Sequence, residues 1–158
     1  MENLKLIKEK FKNDNFAQSF GIVLDEITEN TVQMHMILKP EMNNFNGRPH
    51  GAAIYGLADA AFSVIGNNQN NISVALDCNI HYHASPEPGK KLYVIGKKVI
   101  QTRKIGTYKF NLYTEENGHK IKTPGIIHTE GVCFLLRCHR KIYDIFRMRL
   151  LQEHHLLR

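Results

Sequence analysis

In the stretch "NFNGRPHGAAIYGLADAAF" (44–62), four residues have the types and spacing for chemistry at a carbonyl: Asn44, His50, Gly51 and Asp59. Asp59 is the only charged residue between Gly51 and Gly66. An ionised carboxylate buried without a partner costs several kcal/mol, and Asp suits the middle of a helix poorly. A hydrogen bond to Tyr55 or Ser63, one turn away on either side, would make it structural. Left free, it is a general base for water or a direct nucleophile on an acyl carbon. Gly51 opens the apolar run. A helix N-terminus there offers unpaired N–H groups and partial positive charge to an oxyanion, and glycine lets a ligand approach the backbone; the plain alternative is a turn residue. Asn44 can orient water or a carbonyl, or simply form a turn. His50 can hydrogen-bond a carbonyl, hold the loop, or sit on the surface. No Ser or Cys occupies a recognisable nucleophile elbow.

Geometry constrains the pair. Gly51 and Asp59 are eight residues apart, hence about 12 Å along a helix axis. A reacting carbonyl must lie about 3 Å from both nucleophile and oxyanion donor. One chain cannot supply both groups to one bond. If both act together, they come from different subunits with antiparallel helices, and the site requires at least a dimer.

A second cluster is "HYH", where alternation predicts His81 and His83 on one strand face. A metal would need a third ligand and a supporting shell. No third ligand is evident, so no metal is expected.

These residues need elements to hold them. Leu4, Ile7 and Phe11 recur at helical spacing and predict a short amphipathic helix ending near "NDN". "FGIVLDEIT" and "TVQMHMILK" read as a hairpin, the second strand alternating Val32, Met34, Met36 and Leu38 with polar residues. Residues 40–50 are a Pro/Asn/Gly loop. The central helix is predicted from Gly51 to Gly66, and "NNQNN" (67–71) is a polar loop. "ISVALDCNIHYHA", "LYVIGKKVIQTR", "GTYKFNLYTE" and "GIIHTEGVCFLLR" read as strands, with "ENGH" as a hairpin turn. Strands around one apolar helix, without regular strand–helix alternation, predict α+β: an antiparallel sheet of about five to six strands wrapped around a buried helix.

The 158-residue chain is long enough for one domain with its own core, expected over 1–137. The net charge of +6 is uneven, because residues 137–158 hold six basic groups against two acidic ones. The tail 138–158 carries Ile142, Ile145, Phe146, Leu150 and Leu151 at roughly helical spacing. Basic tails can attract nucleic acid or anionic lipid, but this one is read as solvated, and no nucleic-acid or membrane partner is expected. Three cysteines, with no C-x-x-C pair, argue against a disulfide framework. The N-terminus lacks the apolar region of a signal peptide, and no run could span a membrane. A cytoplasmic protein is expected.

The block at 44–62 resembles the signature of the hotdog-fold acyl-CoA thioesterases, in their PaaI-type branch. The matching residues are Asn44, Gly47, His50, Gly51 and "LADAAF" (57–62). "ALDCNIHYHASPEPGKKL" resembles the following strand and turn, so that the likeness spans roughly residues 10–137. The resemblance implies a hotdog fold and hydrolysis of an acyl-CoA to free acid and CoA. It further implies no cofactor and a homodimeric or homotetrameric assembly. Asp59 becomes base or nucleophile, the Gly51 amide the oxyanion donor, and Asn44 and His50 the groups orienting carbonyl or water. Relatives often hold CoA phosphates near a strand end, which points to Arg103 and Lys104. Two positions depart from the pattern. Ala52 replaces a second glycine, and Ala75 stands where some relatives carry serine. A non-catalytic acyl-CoA-binding regulatory protein of the same fold is the alternative. A hydratase fits the Asn44–Asp59 pattern less well.

Overall fold

The computed structural model describes residues 2–68, 72–116, 119–120 and 129–138, with side chains over 4–68 and 72–114. The amphipathic N-terminal pattern forms α1 (Glu2–Phe11), which buries Ile7 and Phe11. A six-residue helix follows, α2 (Asn15–Phe20). The sequence reading missed it and ran straight into a strand. It is too short to show a helical period, but both ends are marked. The Asp14 carboxylate caps it by accepting from Ala17 N at 2.9 Å, and Gly21 ends it at φ 67°.

The expected hairpin forms from β1 (Val23–Ile27) and β2 (Thr31–Ile37), antiparallel. Val32, Met34 and Met36 point inward and are fully buried, as their alternation requires. After a 3-10 turn at Pro40–Met42 and the loop, α3 runs from Gly51 to Gly66, the predicted bounds. Beyond it lie β3 (Ile72–Ile80), β4 (Lys91–Gln101), β5 (Ile105–Glu116), the two-residue β6 (His119–Lys120) and β7 (Thr129–Cys138). Glu116 pairs with His119 in antiparallel register, the pairing that a hairpin at "ENGH" requires. The sheet order is β1-β2-β4-β5-β7-β3, with β6 on β5, and every pairing is antiparallel. Among the described residues, β1 and β3 are the two edges. The tail lies outside the described residues beyond Cys138.

The sheet wraps one face around α3. Leu92 and Val94 of β4 and Tyr108, Phe110 and Leu112 of β5 meet Ile54, Leu57, Ala61, Phe62 and Ile65, all buried. Phe62 stands edge-on to both Tyr108 and Phe110 at 5.7 Å between centroids, the favoured aromatic geometry. Gly96 of β4 is needed for this packing, because a Cβ there would overlap the Phe110 ring and a Val32 methyl. The far end of α3 is tied down by its asparagines. Asn67 Nδ2 donates to Ser63 O, and buried Asn68 donates to Thr28 O and Glu29 O in the β1–β2 turn.

The helix is not buried all round. Ala52, Asp59 and Ser63 are exposed, with Tyr55 between them half-buried, so one stripe of α3 stays open in the single chain. This corrects the picture of Asp59 as a core residue. The adjacent edge strand β3 is similarly uncovered, with Val74 48% and Leu76 58% exposed.

Candidate active site

The loop before α3 is built by Asn44. Its Oδ1 accepts from Asn46 N at 2.9 Å and Arg48 N at 3.2 Å, its N–H donates to Arg48 O at 2.7 Å, and its carbonyl accepts from Gly47 N at 2.9 Å. Gly47, at φ 71°, supplies the left-handed turn. With its carboxamide oxygen spent on the loop, Asn44 has only its Nδ2 amide to offer a ligand, so it can donate to a carbonyl or water but not accept through Oδ1.

His50 is the N-cap of α3. Its Nδ1 accepts from Ala52 N at 3.0 Å, which leaves Nε2 as the ring's outward donor when the imidazole is neutral. The His50 carbonyl accepts from Ala53 N at 3.0 Å and Ile54 N at 3.3 Å. Three amides of the first turn are therefore engaged. The Gly51 N–H has no acceptor among the described residues. It stands free at the positive end of the helix, an arrangement suited to an anionic oxygen.

Two further side chains hold this end, and the sequence reading missed both. The Arg48 guanidinium donates to Glu87 Oε2 at 2.8 Å and to Ser85 O at 3.1 Å, which ties the loop to the segment ahead of β4. This ion pair holds the Glu87 carboxyl below its ordinary pKa, the Arg48 hydrogen bond being the main cause. Tyr82 lies over Gly51. Its hydroxyl donates to Gly51 O at 3.1 Å, and a Cβ on Gly51 would meet its ring at 3.4 Å. Burial raises the Tyr82 pKa and so keeps the phenol protonated as that donor. Pro49, Gly51, Ile54, Tyr82, Ala84 and Ser85 line an open groove beside the free amide. Arg48 stood inside the quoted motif, but its partners are far along the chain. Tyr82 stood between the two histidines that drew attention.

The histidines themselves correct an expectation. β3 ends at Ile80, so His81 and His83 lie beyond the strand rather than on one strand face, with rings stacked at 6.2 Å. Among the described residues, no three His, Cys, Asp or Glu side chains cluster as metal ligands would.

Asp59 occupies the open stripe of α3. With Tyr55, Ala58, Asn79, Ile80, Phe110 and Leu112 it encloses a cavity of about 10 Å³, close to the space of one water. Although the residue as a whole is exposed, these apolar walls desolvate its carboxyl. That desolvation, and then the negative charge of Asp14, raise its pKa above the ordinary carboxylate value. Ser63 Oγ donates to Ala60 O at 2.9 Å rather than to Asp59.

Arg103 and Lys104 are not brought to this cluster. They sit exposed on the β4–β5 turn, whose Thr102 Oγ1 accepts from Lys104 N and Ile105 N. That turn lies at the end of the sheet where α3 finishes, whereas Gly51 lies at the end where Ile37 pairs with Lys91.

A free helix-start amide, a donor amide and imidazole beside it, and a carboxylate on a neighbouring open stripe are groups of the kinds that ester cleavage uses. The chain is also similar to several known proteins. The family model "Thioesterase superfamily" matches residues 46–120. The acyl-coenzyme A thioesterase PaaI of Escherichia coli is 26% identical over 106 residues, 67% of this chain and 76% of that protein. The solved structure of that E. coli protein, from the phenylacetic acid degradation operon, superposes with a TM-score of 0.76 at 20% identity, covering 87% of this chain and 94% of the other. A Streptococcus pneumoniae thioesterase protein solved with coenzyme A gives 0.70 at 15% identity, covering 82% and 95%.

Proposed function

We infer from its likeness to PaaI-type hotdog thioesterases that this chain is a thioester hydrolase that acts on an acyl-CoA and releases a free acid and CoA. The observation that carries the reading is the Gly51 N–H, left without an acceptor among the described residues at the N-terminus of α3 beside Asn44 and His50. The thioester oxygen docks on that amide, with the Asn44 Nδ2 and His50 Nε2 donors orienting it or the attacking water. Asp59, serving either as base or as nucleophile, completes the site. As base, it takes a proton from water while the water oxygen bonds to the acyl carbon, and the oxyanion accepts from Gly51 N–H. Collapse breaks the C–S bond, and the proton held by Asp59 passes to the departing sulfur.

Gly51 and Asp59 of one helix are about 12 Å apart along its axis, so the pair acting on one thioester comes from two subunits. The open stripe of α3 and the uncovered edge strand β3, with Val74 and Leu76 exposed, support a two-fold partner on this side. Arg103 and Lys104 remain candidates for CoA phosphates only in such an assembly, where the partner's helix end approaches. The catalytic unit is one domain over 1–137, followed by the basic segment 138–158. Thiol release from a panel of acyl-CoAs, comparing wild type with Asp59→Asn, tests the reading. Silence on every acyl chain defeats the substrate class, and undiminished turnover in the variant defeats the role of Asp59.

A further inference from the structure

Gly51 has the freest backbone in the first turn of α3, and the fold brackets it. The peptide that joins His50 to Gly51 is held by its carbonyl, which accepts from Ala53 N and Ile54 N. The next peptide is held by the Ala52 N–H, which donates to His50 Nδ1 at 3.0 Å. Both contacts are made by α3 and its own cap. A third comes from far along the chain, where the Tyr82 hydroxyl donates to Gly51 O at 3.1 Å. The Tyr82 ring lies against the same residue, because a Cβ on Gly51 would meet its Cζ and Oη at 3.4 Å. Tyr82 is 49% exposed, so water could satisfy its hydroxyl, and its bond to Gly51 adds little to stability. With Pro49, Ile54, Ala84 and Ser85 it lines the groove beside the free amide.

We propose that Tyr82 is a positioning residue of the thioesterase site, whose hydroxyl and ring hold the Gly51 backbone so that the free N–H stays aimed at the developing oxyanion. The inference rests on the reading of that N–H as the oxyanion donor. Such a donor works because it is already in place when charge develops, and a misplacement of about 1 Å can cost about 10²-fold in rate. Helix ends fray, and without Tyr82 the Gly51 carbonyl is restrained only from within the helix. As the glycine turns, its N–H swings with it. In the two-subunit site read above, the carboxylate arrives from the partner, whereas Tyr82 and the amide it holds belong to one chain.

The test separates aiming from packing. Tyr82→Phe keeps the ring and removes the hydroxyl, and Tyr82→Leu removes both contacts. Each is made alone and together with Gly51→Pro, which has no N–H left to aim. The readouts are kcat and KM for acyl-CoA hydrolysis, with thermal melting and gel filtration as checks on folding and assembly. Tyr82→Phe lowers kcat severalfold and Tyr82→Leu by up to about 10²-fold. KM stays unchanged, because the interaction lost is made only in the transition state. Combined with Gly51→Pro, neither substitution lowers kcat further. A folded Tyr82→Phe enzyme with wild-type kcat overturns the role of Tyr82, and so does a loss of the same factor with and without the Gly51 N–H. A raised KM with kcat kept also overturns it, since Tyr82 is then only a wall of the groove. In each case a slow Gly51→Pro enzyme leaves the oxyanion donor standing. Gly51→Pro turning over as fast as wild type overturns both.

Discussion

Replacing Gly51 with proline removes its N–H, puts ring carbons in its place and leaves the helix start intact. Gly51 is the first residue of α3, the helix position where proline is favoured because its missing N–H would be unpaired anyway. His50 before it already holds φ −66° and ψ 137°, the extended conformation that a residue preceding proline requires. The amides of Ala52, Ala53 and Ile54 keep their bonds to His50, so the helix start survives. For the same reason no other first-turn amide is free to replace the lost donor. Loss of one oxyanion donor costs about 10²–10³ in kcat, or about 2.7–4 kcal/mol. Gly51→Ala is the control. It keeps the N–H and places a Cβ at ordinary contact distance, 3.4 Å, from the Tyr82 ring. The expected outcome is a melting temperature for Gly51→Pro equal to or above wild type, kcat down by about two to three orders of magnitude, and Gly51→Ala near wild type. A folded Gly51→Pro enzyme turning over acyl-CoA as fast as Gly51→Ala refutes the oxyanion role.

Other outcomes can be checked alongside. The folded-state pKa of Asp59 is raised, so the native state holds its proton more tightly than the unfolded chain does. The stabilising contribution is present at low pH and is lost as pH rises through the folded value. Asp59→Asn therefore raises the melting temperature at neutral pH while abolishing hydrolysis, and the stability gain disappears at acid pH. Gly96→Ala drives a methyl into Phe110 and Val32 and destabilises by about 1–3 kcal/mol, read by denaturant titration. Arg48→Ala frees the 44–50 loop from Ser85 and Glu87. It lowers kcat/KM well out of proportion to its small effect on melting, because loop geometry and not core packing is lost. Single-turnover hydrolysis by wild type in ¹⁸O-water separates the two modes of Asp59: label entering the carboxylate marks a nucleophile, and label only in the product acid marks a base.

What was legible in the chain was what local pattern encodes. The bounds of α3 follow from an apolar run between Gly51 and Gly66, and β2 from strict alternation through Met36. The motif around His50 and Gly51 showed a helix start, but not that Ala52, Ala53 and Ile54 would spend their amides on His50 and leave Gly51 free. α2 escaped because six residues cannot display a period, although Asp14 and Gly21 are the cap residues its ends demand. Arg48 and Tyr82 act across the fold, on Glu87 and Gly51, and no local spacing announces such pairs. Arg103 and Lys104 were placed by resemblance, and the antiparallel register sends them to the opposite end of the sheet. Composition describes α3 as apolar on nearly every side. It does not say which side the chain itself leaves uncovered, and that side holds Asp59.

The position of β3 has a consequence for how the molecule is made. β3 leaves α3 early in the chain, yet its only ladder partner among the described residues is β7, Ile72 against Cys138 and Ile80 against Gly131. While the chain emerges from the ribosome, β1, β2, β4 and β5 can zip in sequence, but β3 waits with Val74 and Leu76 unpaired until the last strand arrives. Such non-local closure is slow, and the waiting edge is exposed to mispairing. The nascent chain therefore completes the sheet on one side of α3 first, and the side bearing Asp59 matures last. Truncations that stop before Thr129 are expected to be trapped as sticky partial sheets rather than as small, well-behaved domains.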